Sequence, residues 1–215
     1  MTSIIFKKED FGNFELACDI AKGIGFIVEK KTIEVTDDSK IGPLIKHIRE
    51  DFNWEAIANL VTVDRLKILF NSMYGYISYA NIQSLLIKLI RVNKHGDFIE
   101  CIIGKLKPNE VNQLTTMPLF YTVDYLNFSA ALVLLKYNIP LYEKVSETNR
   151  HNTSEKFTNL DIVQYASIKS TYHGPLGVEL YKIILNRYQA YYTIICDKTK
   201  KTRAVEVEGV MVYSD

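Results

Sequence analysis

Cysteine is scarce in this chain: three in 215 residues, at positions 18, 101 and 196. An odd number so widely spaced argues against a disulfide framework and for a reducing compartment, so a cytoplasmic location is expected. Charge of one sign is also lacking. A formal net charge of +1 gives no global field to draw the chain onto nucleic acid or an anionic membrane, and neither is expected as a partner. No apolar run approaches the roughly 20 residues that span a bilayer. At the start, Ile4, Ile5 and Phe6 precede the charges of Lys7 to Asp10, the wrong order for a secretory signal. The four histidines (His47, His95, His151, His173) show no ligand spacing among themselves or with cysteine, so no metal site is expected. There is no P-loop and no Gly-x-Ser-x-Gly elbow.

What is present is an ordinary globular balance, 47% hydrophobic and 24% charged, which argues against disorder. The length suits one domain, read either as a single unit or as a mainly helical region over 1–108 followed by an α+β region over 109–215. Abundant Ile, Lys, Asn and Tyr match the coding bias of an AT-rich genome such as that of a phage or other virus.

Ser3 to Phe6 reads as an edge strand. Asn13 is placed to cap a helix over Phe14 to Lys22 that stops at Gly23, with Phe14, Ala17, Cys18 and Ala21 on one face. Phe26 to Thr36 carries two β-branched runs around Glu29-Lys30-Lys31 and reads as a hairpin or one bent strand. Pro43 stands where a helix should begin, and the helical pattern runs to about Val61, as one helix or as two divided at Asp51 or Asn53, with Trp54, the single tryptophan, expected in the core. Further helices are expected from Asp64 (Leu66, Leu69, Phe70, Met73), over Ile82 to Val92 (Ile82, Leu85, Leu86, Leu89, Ile90), and around Phe98, Ile99, Ile102 and Ile103, with Tyr74-Gly75-Tyr76 and Lys94-His95-Gly96 as breaks. Residues 43–106 thus form a helical block.

Past Pro108 the texture becomes aromatic and β-branched. Residues 118–142 fit either strands joined at Leu126 to Ser129 or a helix over Phe128 to Tyr137, and periodicity does not choose between them. Residues 146–159 read as a polar loop. Ile162 to Lys169 reads as a strand, Ser170 to Gly177 as a glycine-bearing turn, Val178 to Tyr188 as an amphipathic helix and Ala190 to Cys196 as another strand. A basic turn, Lys198 to Arg203, leads to a half-buried strand over Ala204 to Val212. The expected fold class is therefore α+β: an N-terminal helical block packed on a mixed sheet formed mainly by the C-terminal half.

A strand entering a tight turn and then a helix leaves free N–H groups that favour an anion. Tyr172-His173-Gly174-Pro175-Leu176-Gly177-Val178-Glu179-Leu180-Tyr181 resembles the acyl-CoA pyrophosphate loop of GNAT-family N-acetyltransferases, Arg/Gln-x-x-Gly-x-Gly/Ala. The resemblance implies acetyl-CoA as cofactor, bound at His173, Gly174, Gly177 and Val178, with N-acyl transfer as the reaction and Glu179, Tyr191 or Tyr192 near the acid–base positions. Thr171 stands in place of the family's Arg or Gln, Leu176 in place of its second glycine, and Pro175 removes a donor. No catalytic residue is assigned. A second segment, Pro118-Leu119-Phe120-Tyr121 through Leu134-Leu135-Lys136-Tyr137-Asn138, resembles an ankyrin repeat, with Phe120 for the usual His and Thr122 for the usual Ala. Apolar pairs recur at Leu69-Phe70, Ile102-Ile103 and Leu134-Leu135, near the roughly 33-residue ankyrin period. That resemblance implies a non-enzymatic module with a protein partner, and a left-handed helix stop at Asn138.

Overall fold

The computed structural model describes residues 4–48, 57–58, 62–141 and 160–201, with side chains described as far as 190. Its strands are Ile4–Lys7 (β1), Ile27–Glu29 (β2) and Thr32–Val35 (β3), all antiparallel in the order β1-β3-β2. The register sets Ile4 opposite Val35 and Phe6 opposite Ile33, so four apolar side chains share one buried face. The N-terminal edge strand and the hairpin are as the sequence leads one to expect. Helix α1 (Phe14–Gly23), capped by Asn13 Oδ1 accepting from Leu16 N at 3.1 Å, buries Ala17 and Ala21. Phe11 joins this layer, edge-on to Phe6 with centroids 5.8 Å apart.

Single 3-10 turns stand at Lys8–Asp10 and Asp38–Lys40, and further α-helices are α2 (Gly42–Ile45), α3 (Val63–Met73), α4 (Tyr79–Arg91), α5 (Gly96–Ile103), α6 (Pro108–Val111), α7 (Met117–Asp124), α8 (Phe128–Lys136) and α9 (Ile162–Lys201). Within the helical stretch expected from Pro43 to Val61, Gly42–Ile45 (α2) and residues 57–58 are helical, while Lys46 and His47 form a turn and Ile48 bridges to Phe11, which draws the chain back onto the N-terminal layer. The fold class is corrected. The protein is mostly helical, and its sheet is small and N-terminal, not a mixed sheet built by the C-terminal half. Between residues 117 and 136 the helical alternative is found, as α7 and α8. Residues 162–169 and 190–196, expected as strands, both lie in α9. The physical reason is burial. Ile162, Tyr165 and Ala166 fall at i, i+3 and i+4 and are all buried, a helical stripe hidden among β-branched residues. Lys198 to Lys201 continue this helix rather than turning. The expected placements of Trp54, of the loop over 146–159 and of the strand over Ala204 to Val212 lie outside the described residues.

The helices stack in two rows. One row is α3, α5 and α8; the other is α4, α7 and the first part of α9. Consecutive members pair across the rows, α4 with α5 and α7 with α8, as helix, tight turn, helix. The two turns are related by 33 positions in detail. Asn93 (φ 53°) and Leu126 (φ 49°) both hold the left-handed conformation that turns the chain between paired helices. Asn127 Nδ2 donates to Lys94 O at 2.9 Å, and Gly96 N donates to Ser129 Oγ at 2.9 Å. Asn127 Oδ1 also accepts from Ala130 N at 3.1 Å, capping α8. Asn138, φ 57°, ends α8 in the left-handed conformation anticipated for it.

Candidate functional site

The glycine-bearing turn lies inside α9. Gly174 departs from helical dihedrals (φ 61°, ψ −147°), a combination open essentially to glycine alone. Pro175 follows as the first residue of the second part, where its missing N–H is harmless. Gly177 is buried against the first part: a Cβ there would sit 2.7 Å from His173 Cβ and 3.0 Å from Ser170 Cα. Its lack of a side chain therefore serves close approach within the kink. His173 is half-buried, while Tyr172, Leu176 and Val178 are exposed, as is Glu179. The strand that should precede an acyl-CoA loop is helix instead, so the four positions assigned to a cofactor stand at a helix bend. Tyr191 and Tyr192 lie in the same helix, beyond the described side chains.

A better-built cluster crosses the second row, near the C-terminal ends of α4 and α7. Arg91 Nε donates to Tyr125 OH at 3.3 Å. Tyr125 stacks on Tyr121, with centroids 6.4 Å apart and planes 20° from parallel. One position away on α7, Asp124 accepts a short hydrogen bond from Tyr165 OH, and Lys169 Nζ lies 3.9 Å from the same carboxylate oxygen. Tyr165 in turn packs on Phe120 at 5.0 Å, and Lys169 sits over its ring at 5.3 Å. Asp124 is nearly buried, so the phenol and ammonium offset the cost of holding its charge there. The outer members, Arg91 and Tyr125, are exposed. Guanidinium and phenol groups on rigid helices suit recognition of a partner's polar and apolar groups together.

Two other features stand elsewhere on the molecule. An open groove of about 600 Å³ runs between α8 and the second part of α9, lined by Leu132, Leu135, Lys136, Ile183, Asn186, Arg187 and Ala190. Glu110 on α6 gathers Tyr74 OH at 2.6 Å, Tyr79 OH at 3.3 Å and Lys107 N at 2.7 Å. The Tyr74 hydrogen bond is the chief cause holding the Glu110 carboxyl below its ordinary range, and it raises the Tyr74 phenol in return. Among the described residues no group of three or more His, Cys, Asp or Glu could hold a metal ion, and no helix is long and apolar enough to cross a membrane.

The Arg91–Tyr125–Asp124–Lys169 cluster is absent from the expectations drawn from sequence. The available signal was the 33-residue offset, which sets the turn after α4 beside the turn after α7. No protein-family profile matches this chain, and neither does any curated protein or solved structure.

Proposed function

We propose that this chain is a non-enzymatic protein-binding module, built from ankyrin-like helix pairs, that engages its partner through the face carrying Arg91, Tyr121 and Tyr125. One observation carries the reading. Successive helix pairs are stitched turn to turn at a 33-residue offset, by Asn127 to Lys94 and Gly96 to Ser129. An array of this kind buries its core between neighbours and leaves a long, rigid face of adjacent helices. The second part of α9 exposes Glu179, Lys182, Asn186 and Gln189, a polar outer face beside the stacked pairs. Acyl-CoA binding is not carried forward, because residues 162–169 do not form the strand it depends on.

The test is differential. Partners cross-linked to the wild-type protein are purified and titrated against the wild type and against an Arg91→Glu, Tyr125→Ala double variant that keeps the wild-type circular dichroism. Loss of two central anchors is expected to weaken binding by about tenfold or more, since each such residue is typically worth more than about 1 kcal/mol at an interface. Equal affinity in the variant moves the binding face elsewhere, and saturable heat on titration with acetyl-CoA restores the enzyme reading.

A further inference from the structure

We propose that the face carrying Arg91, Tyr121 and Tyr125 takes an acidic peptide segment, whose Asp or Glu side chains meet Arg91 and whose apolar residues lie along the tyrosines. This rests on the reading of that face as the binding face. The first observation is the distribution of charge. Helices α3, α5 and α8, one row, carry Arg65, Lys67 and Lys136 against Asp64, Asp97 and Glu100, an even balance. Helices α4, α7 and the first part of α9, the other row, carry Lys88, Arg91 and Lys169 against Asp124 alone. The chain's formal net charge of +1 conceals this local surplus.

The second observation is pairing. Cations of the balanced row have carboxylates: Arg65 Nε lies 2.5 Å from Asp38, Lys136 Nζ 2.6 Å from Glu100 and Lys67 Nζ 3.8 Å from Asp64. Arg91 is exposed and donates from Nε to a phenol, Tyr125 OH, with no carboxylate at its guanidinium among the described residues. The fork of an arginine matches a carboxylate with two parallel hydrogen bonds. The one acid of this row is already committed, since Asp124 accepts from Tyr165 and lies 3.9 Å from Lys169. The acid that completes Arg91 therefore comes from outside the row. Tyr125 and Val92 are exposed beside it, so a carboxylate held there has apolar surface next to it for its neighbours. A nucleic-acid strand fits less well. Tyr121 and Tyr125 stack on each other instead of offering open faces to bases, and the row has too few cations to track a backbone.

The test selects ligands without assuming a partner. A random peptide library is selected on the full-length wild-type chain, and the consensus peptide is titrated by fluorescence anisotropy. Asp and Glu are expected to be enriched over the unselected library. The consensus should bind at least about tenfold more weakly to Arg91→Glu, and so should a version with its acids changed to Asn and Gln, which needs no protein variant. Lys67→Glu, on the balanced row, should leave affinity unchanged, and added salt should weaken binding.

A consensus without acids that is lost with Tyr125→Ala overturns the acidic assignment and leaves the binding face standing. A consensus indifferent to both Arg91→Glu and Tyr125→Ala sinks the face as well. Enrichment of no peptide at all, or displacement of the consensus by a single-stranded oligonucleotide at lower concentration than by unlabelled peptide, also rules the acidic peptide out.

Discussion

Gly96→Ala tests the stacking on which the architecture rests. Gly96 opens α5 and lies against the start of α8. A Cβ there would come within 2.6 Å of Ser129 O, 2.9 Å of Ser129 C and 3.1 Å of Val133 Cγ2. The nearest atoms are backbone inside a neighbouring helix, so no side-chain rotation relieves the contact and one helix must move. Overpacking of this kind costs about 1–3 kcal/mol. A shift large enough to relieve it also stretches the 2.9 Å bond from Gly96 N to Ser129 Oγ, worth about another 1 kcal/mol. The gain in helix propensity on replacing glycine, at most about 1 kcal/mol, does not offset the sum. Chemical denaturation followed by circular dichroism should show the midpoint fall with little change in slope. The melting temperature should drop by roughly 2–4 °C per kcal/mol for a chain of this size. Gly23→Ala is the control: nothing lies within 4 Å of its Cβ, and stability should hold or rise by up to about 1 kcal/mol. A Gly96→Ala protein as stable as the wild type would falsify the close approach of α5 to α8.

Three other outcomes are expected. Asn127→Ala removes the α8 cap and the bond to Lys94 O from a buried side chain, and should cost about 2–3 kcal/mol by urea titration; a loss below about 0.5 kcal/mol contradicts the stitched turn. Tyr74→Phe should move the Glu110 titration, followed by carboxyl-carbon NMR, upward toward 4.5. Because the folded value is depressed, this carboxylate's contribution to stability is present above its unfolded pKa and fades as pH falls through the folded one, so the variant should lose part of that acid dependence; an unmoved titration contradicts the bond. Partial burial pushes the Cys101 thiol up to about 12, so roughly one molecule in ten thousand carries the thiolate at about pH 8; alkylation monitored by mass spectrometry should label Cys101 far more slowly in the folded than in the unfolded state, and equal rates contradict the raised pKa.

The helical half of the architecture was legible because its stripes are clean. Ile82, Leu85, Leu86, Leu89 and Ile90 are all buried, as the period of α4 requires. Over Phe26 to Thr36 the β-branched runs left a hairpin or one bent strand open, and the hairpin is found. Beyond residue 118 local composition misled. Over Phe128 to Tyr137 the pattern left strand and helix both open and the helix is found; over Ile162 to Lys169 the β-branched and aromatic residues look extended, and stacking on neighbouring helices overrides that preference. The glycines at 174 and 177 illustrate the same limit. Both suggest openings for a phosphate, whereas one kinks a helix and the other lets the two halves touch. The Arg91 and Tyr125 cluster left no local trace at all, since its members come from three helices and meet only after the pairs stack.

Leu126 has a counterpart in Asn93, one repeat earlier, with nearly the same backbone angle. Asparagine accepts that angle readily; leucine, with its larger side chain, resists it. The array therefore holds an unspent reserve: the leucine turn is the less comfortable of two equivalent corners, and a protein engineer wishing to harden this scaffold would begin by copying the asparagine across.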